Sequence, residues 1–297
     1  MPKEKEKTKD SKDLELILKR LLNAPIELVW KAWTDPEQVA QWWGPNNFTI
    51  PLCKMDVKPG GALLIHMKAP DGTIYPMNGS YKELVKPERI VFAGAALDTQ
   101  GNALFEQVTS ILFEKDGNKT KLNIKVTFSK VKPEAAGHIA GAEIGWNQMM
   151  DKLLIYIEPF VFERTLNAPV ARVWKAISDK NEMKKWYFDL TEFTPEAGFE
   201  FQFRGGKDPS RSYLHLCKII EAIPEKKLSY SWKYNGYAGS SLVTFELFEE
   251  GTKTRLRLTH SGLETFPASN QDFIRGNFAE GWTHIIGTSL KEFIDKQ

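Results

Sequence analysis

Arg20-Leu-Leu-Asn-Ala-Pro-Ile-Glu-Leu-Val-Trp-Lys-Ala32 and Arg164-Thr-Leu-Asn-Ala-Pro-Val-Ala-Arg-Val-Trp-Lys-Ala176 are one stretch written twice, 144 residues apart. Extended to Trp43 and Tyr187, the 24 aligned pairs hold 11 identities, including Trp30/Trp174 and Trp42/Trp186. A 297-residue chain is about two domains long on length alone, and internal repetition identifies them as copies. The register shortens downstream, where Pro87-Glu88 matches Pro224-Glu225, Lys119-Thr120 matches Lys253-Thr254, and Gly145-Trp146 matches Gly281-Trp282. The sequence therefore divides into a charged tail over 1–13, a first unit over 14–157, a Glu158-Pro159 joint, and a second unit over 160–297. A chain of about 140 residues buries roughly two-thirds of its unfolded surface, enough for each unit to hold its own core.

Working outward, the hydrophobic periodicity gives one element order for both units. Leu14, Leu16 and Leu18 in the first, and Phe160 and Phe162 in the second, alternate with their neighbours and predict an opening strand. Pro25 and Pro169 suit a helix start, and Ile26, Val29, Trp30 and Trp33 follow at i, i+3, i+4, i+7. Asp35-Pro36-Glu37 predicts a second short helix with Asp35 as its cap. From Thr49 to Phe128 the period becomes two, punctuated by Pro59-Gly60-Gly61, Asp71-Gly72, Lys86-Pro87-Glu88 and Asp116-Gly117-Asn118, which predicts six sequential antiparallel strands. A long amphipathic helix closes each unit. The expected class is α+β, with the order β-α-α-β6-α twice and a curved antiparallel sheet around the last helix. Such a sheet leaves a space under the helix that must be filled by side chains or by a ligand.

Composition excludes several functions. Forty Lys+Arg against 38 Asp+Glu leave a net charge of +2, too small for a protein that lives on nucleic-acid phosphates. No apolar run approaches the roughly 18 residues of a membrane span, and Met1–Asp13 lacks a signal-peptide core, so a cytoplasmic location is expected. The alternating Lys and Glu/Asp of that tail predict disorder. Cys53 and Cys217 stand at non-equivalent places, and His66, His138, His215, His260 and His284 are scattered singly, so neither metal nor disulfide framework is expected. Gly205-Gly206-Lys207 lacks the rest of a phosphate loop, and no Gly-x-Ser-x-Gly elbow occurs. No cofactor is expected.

The aromatic residues are more informative. Nine Trp and 18 Phe exceed what two small cores require. Trp30 and Trp174 are assigned to the core. Trp42, Trp43 and Trp146 in the first unit, and Trp186, Trp232 and Trp282 in the second, are expected on cavity walls, with Met149 and Met150 as an adaptable lining. Glu106, His66 and Glu143 are the polar candidates of the first cavity; a carboxylate desolvated there could act as a base. Ala279 stands opposite Glu143 in the second unit.

The combination of Asn-Ala-Pro with Val-Trp-Lys-Ala-Trp-Thr-Asp-Pro-Glu (23–37), Gln-Trp-Trp-Gly-Pro (41–45), Pro-Gly-Gly (59–61), the run 79–92 and Gly-Trp (145–146) resembles the helix-grip (START/SRPBCC-like) superfamily of START domains, polyketide cyclases and birch-pollen allergens. Within it, the chain is similar to the branch named after the C-terminal domain of the activator of the HSP-90 chaperone ATPase. The second unit keeps less of the pattern, with Lys180 for Pro36, Tyr187 for Trp43 and only Gly198 of the Gly-Gly pair. The resemblance implies a helix-grip fold in each unit and, by its name, a chaperone ATPase as a partner. Three readings follow: a non-catalytic binder of a small hydrophobic or amphipathic ligand, favoured here; a co-chaperone-like interaction module; and a cyclase- or hydrolase-type enzyme using a cavity Glu or His.

Overall fold

The computed structural model describes residues 14–98, 100–206 and 211–296; the charged tail over 1–13 lies outside them. Two compact units divide between Glu158 and Pro159. In the first, β1 (Glu15–Leu22) leads into α1 (Ile26–Thr34) and α2 (Pro36–Trp42), followed by β2 (Thr49–Met55), β3 (Ala62–Lys68), β4 (Ile74–Val85), β5 (Arg89–Leu97), β6 (Ala103–Asp116) and β7 (Lys119–Ser129), and closes with α3 (Ala136–Ile157). Its seven strands form one antiparallel sheet in the order β1-β7-β6-β5-β4-β3-β2.

The second unit repeats this with β8 (Phe160–Leu166), α4 (Val170–Ser178), α5 (Lys180–Met183), β9 (Glu200–Gly206), β10 (Ser212–Ile223), β11 (Lys227–Tyr234), β12 (Ser241–Glu250) and β13 (Lys253–Ser261). Its sheet has six strands, ordered β8-β13-β12-β11-β10-β9, so five rather than six strands follow its helices. No strand of the described residues corresponds to β2: Phe188–Gly198 carries Pro195 and a left-handed Gly198, and it tucks Leu190 and Phe193 onto the core instead of pairing. The closing helix is α6 (Arg275–His284), a π-helical stretch over Ile285–Leu290, and α7 (Lys291–Asp295).

The identities of the repeat have local reasons. Asp35 accepts hydrogen bonds from the Glu37 and Gln38 N–H groups, and Asp179 from that of Glu182, so both second helices begin on a side-chain cap. The Trp42 indole N–H donates to Ala32 O at 3.0 Å, and Trp186 donates to Ala176 O at the same distance. Thr120 Oγ1 donates to Ala24 O, and Thr254 Oγ1 to Ala168 O, both at 2.8 Å and both buried. Each pair ties a helix or the turn before it to the rest of the fold without exposing a polar group. Trp30 is buried as expected, whereas Trp174 lies only half-buried against its core.

Strand alternation sets the faces. In β7 Leu122, Ile124, Val126 and Phe128 are buried while Lys121 and Lys125 face water. A bulge falls between Tyr81 and Glu83 on β4 and again between Ile219 and Glu221 on β10, bending both sheets at the same place. The ladders flanking that turn set Val85 equivalent to Ile223 and Arg89 to Lys227, so Pro224 falls at the place of Lys86 and not of Pro87, one residue from the sequence match.

Candidate functional site

Ladder register equates the two sheets residue by residue. Through the shared pairing of β4, β5 and β6 with their neighbours, Met77 corresponds to His215, Gly94 to Trp232 and Ala96 to Tyr234; Gln107 corresponds to Ser241 and Val126 to His260. All these positions lie on the inward face. These strands therefore share one register in both units, while the chemistry lining the space under the helix differs.

In the first unit that space has a volume of about 310 Å³ and lies between the inner face of the sheet and α3. Of the expected wall residues, Trp43, Trp146 and Met149 line it, joined by Met67, Met77 and Phe105. Its deepest polar side chain is Gln107, whose amide nitrogen rests on the Met77 thioether at 3.5 Å, a weak acceptor. Gly141 and Gly145 of α3 form part of the wall, and a Cβ built on Gly141 meets nothing within 4 Å. Small residues on the helix keep the space open.

Four expected wall residues of this unit, and Glu143, lie elsewhere. Trp42 is fully buried in the core, its ring edge-on to Trp33 at 4.6 Å, because its N–H is committed to α1. Met150 follows Met149 by about 100° around the helix and enters the core rather than the cavity. His66 alternates with the inward Ile65 and Met67 and so takes the opposite face. Glu106 likewise points away from the inward Gln107 and pairs with Lys130 Nζ at 2.8 Å. Glu143 is exposed on α3. None of the three polar candidates lines the cavity; the histidine that does is His138 on α3, against the Tyr75 ring.

In the second unit the corresponding space is larger, about 680 Å³, and Trp186, Trp232 and Trp282 all line it. Tyr187, His215 and Tyr234, which sequence reasoning did not single out, complete its aromatic wall. The signal for them was available: Tyr213, His215 and Cys217 on β10, and Tyr230, Trp232 and Tyr234 on β11, alternate with outward residues. Arg211, Asp272 and Glu280 place charge at the rim, where Tyr213 donates to Asp272 at 2.7 Å. His215 stacks on Phe203 at 4.3 Å between ring centroids; Gly205 permits this, because a Cβ there would come within 2.8 Å of Phe188 and 3.1 Å of His215. Burial pushes His215 down to about 4, although hydrogen bonds to the Phe203 and Tyr213 carbonyls work the other way. Tyr187 and Tyr230 share a hydroxyl hydrogen bond of 3.0 Å, and burial raises the Tyr187 pKa well above the usual phenol range.

Behind the wall, Ser241 Oγ and His260 Nε2 are 2.7 Å apart, the spacing of a nucleophile and its base. The wiring is wrong for that role. Trp282 Nε1 donates to His260 Nδ1 at 2.9 Å, so Nδ1 is the acceptor and the neutral ring carries its proton on Nε2, which then donates to the serine. Burial, helped by the Arg275 charge, pushes His260 down to about 3 and keeps it neutral. The chain Trp282–His260–Ser241 is a satisfied buried network that fixes the Trp282 ring on the cavity wall.

Among the described residues no cluster of three or more His, Cys, Asp or Glu side chains gathers where a metal ion could be held. No helix of the described residues is long and apolar enough to cross a membrane. Burial pushes the Cys53 thiol up to about 11 and raises that of Cys217, so neither is a ready nucleophile.

Comparison with known proteins adds the family. Solved structures similar to this chain include a Nitrosomonas europaea protein at 26% identity, covering 48% of this chain and 93% of that one with a TM-score of 0.42. A Chromobacterium violaceum protein follows at 27% identity, covering 48% and 96% with a TM-score of 0.42. An AHSA1 protein from Silicibacter pomeroyi stands at 20% identity, covering 48% and 95% with a TM-score of 0.40. No curated protein matches. The family model described as "Activator of Hsp90 ATPase homolog 1-like protein" matches residues 23–158 and again 167–295, and the chain belongs to that family as a tandem of two of its domains.

Proposed function

We propose that the protein binds a small hydrophobic or amphipathic molecule in the space between sheet and closing helix, without chemistry of its own. The observation that carries this reading is the second unit's cavity of about 680 Å³, walled by aromatic side chains, with charged groups such as Arg211, Asp272 and Glu280 at its rim. Ligand pockets are typically of this size and character. The buried Ser241–His260 pair is held in the tautomer that cannot take the serine proton, and Glu106, His66 and Glu143 do not line the first cavity. The cavity of about 310 Å³ in the first unit, with Met67, Met77 and Met149 in its wall, suits a smaller or slimmer apolar ligand.

Two measurements test the reading. Solvent extraction of natively purified protein followed by mass spectrometry should recover a bound lipophilic compound, and members of a lipophilic library should quench tryptophan emission saturably. A clean extract together with no saturable quench across the library would overturn it.

A further inference from the structure

Three indole rings wall the second cavity, and their N–H groups have different fates. Trp186 donates to the Ala176 carbonyl and Trp282 to His260. Trp232 is only 5% exposed, and its N–H has no hydrogen-bond partner among the described residues. The Tyr234 hydroxyl feels that N–H, which offsets part of the burial that raises the phenol pKa, but the two do not meet hydrogen-bond geometry. A buried donor left unpaired is costly, and native folds retain few of them.

The same ladder positions in the first unit hold Gly94 for Trp232, Ala96 for Tyr234 and Met77 for His215. The first unit also has a buried indole N–H without a partner among the described residues, Trp33, but that ring lies in the core and not on a cavity wall; a cavity wall carrying such a donor amid flat rings is found at these ladder positions of the second unit. Ring faces dominate there: Tyr234 stacks on Phe273 at 4.3 Å and 13°, and Tyr187 lies within 13° of the Trp282 plane. His215, the deep titratable side chain of that wall, is kept neutral by burial, and the charged lining side chains Arg211, Asp272 and Glu280 stand at the rim, so the ring-lined interior offers no charge to an ionic group. The π-helical stretch Ile285–Leu290 runs along the same wall, contributing Ile285 and Ser289. Relative to the first unit it adds one residue between buried positions, with Ile286 and Leu290 four apart where Met150 and Leu153 are three apart. Such stretches are rare and concentrate at functional sites.

We propose that the second unit's cavity is a site for an uncharged, planar fused-ring aromatic molecule carrying an acceptor oxygen that takes the Trp232 N–H. This rests on the cavity-binding reading above and narrows it to one unit and one chemical class. Stacking supplies the affinity for the ring system, and the indole N–H selects for the oxygen.

The test uses the full chain titrated calorimetrically with three probes: 2-naphthol, naphthalene and 1-decanol. 2-Naphthol should bind about 3- to 10-fold more tightly than naphthalene, the worth of one hydrogen bond. Trp232→Phe should erase that ratio, and Gly141→Leu, which fills the first cavity, should leave it unchanged. Should Trp232→Phe fail to fold, the Trp232 indole resonance in the 15N–1H spectrum of the native chain carries the test: it should move downfield with 2-naphthol and not with naphthalene. Equal affinities for 2-naphthol and naphthalene, a ratio that survives Trp232→Phe, an unmoved indole resonance, or loss of binding in Gly141→Leu would each overturn the inference. Binding of 1-decanol alone defeats this inference while the broader cavity reading stands; binding of no probe defeats both.

Discussion

Acid should unfold the second unit before the first, and the reason is two histidines held neutral in its interior. His215 and His260 are 4% and 0% exposed, and burial pushes them down to about 4 and about 3. In the unfolded chain each titrates near its ordinary value of about 6.5. Because the folded pKa is the lower one, the unfolded state binds more protons below pH 6.5, and stability is lost as the pH falls. At pH 5 each histidine has given up about 1.5 pH units of linkage, or about 2 kcal/mol at 1.36 kcal/mol per unit. Together they remove about 4 kcal/mol from the second unit between pH 8 and pH 5, a large share of a typical domain's stability of about 5–15 kcal/mol. The first unit has Met77 and Val126 at the same positions, so it has no matching term. The carboxylates held low by hydrogen bonds, such as Asp71 and Asp98 in the first unit and Glu163 and Asp295 in the second, act only once the pH falls into the carboxylate range, below this window. The assay is urea unfolding of the full chain at half-unit pH steps, with hydrogen exchange read by mass spectrometry to assign each transition to its unit. His215→Met should remove about half of the pH dependence of the second transition, and His260→Gln, which keeps an acceptor for Trp282 and a donor for Ser241, should remove the other half. A second transition that is flat between pH 6.5 and 5, or one whose slope survives both substitutions, would refute the reasoning.

Three further outcomes are expected. Gly141→Ala should stabilise the first unit by about 0.5–1 kcal/mol, since the new methyl meets nothing within 4 Å and the helix loses its entropic cost; a lowered Tm of the first transition would contradict this. Thr254→Val should cost the second unit about 1–3 kcal/mol by leaving the Ala168 carbonyl unpaired, and Thr120→Val should cost the first about as much through Ala24, both read as shifts in urea midpoint. Gly205→Ala should destabilise the second unit, because its Cβ would come within 2.8 Å of Phe188, and should weaken any cavity ligand by displacing His215; unchanged unfolding would show that the ring simply swings aside.

Much of the fold was legible because its signals are local. The helix cap at Asp35, apolar spacing in α1 and α4, and period-two alternation from Thr49 onward each act within a few residues. The missing strand of the second unit was not legible, since a segment with Leu190 and Phe193 can pair or tuck inward and only the packed core decides between them. The candidate site was read less well for the same reason. Trp42 and Trp43 are adjacent and equally aromatic, yet one hydrogen-bonds to Ala32 in the core and the other lines the cavity. Glu106 and Gln107 are neighbours on one strand, and the register of β6 against β5 and β7 turns the amide in and the carboxylate out.

By itself, the sequence determined that the chain is one α+β unit written twice, because repetition, caps and hydrophobic period are properties of short stretches. Tertiary structure alone decided what each copy is equipped to hold. Ladder pairing brings together residues far apart in sequence, setting Trp232 and Tyr234 of one strand beside His215 of another and linking Trp282 through His260 to Ser241. Whether a buried group is paired, neutral or left with a free donor depends on those neighbours in space, and no spacing along the chain encodes them.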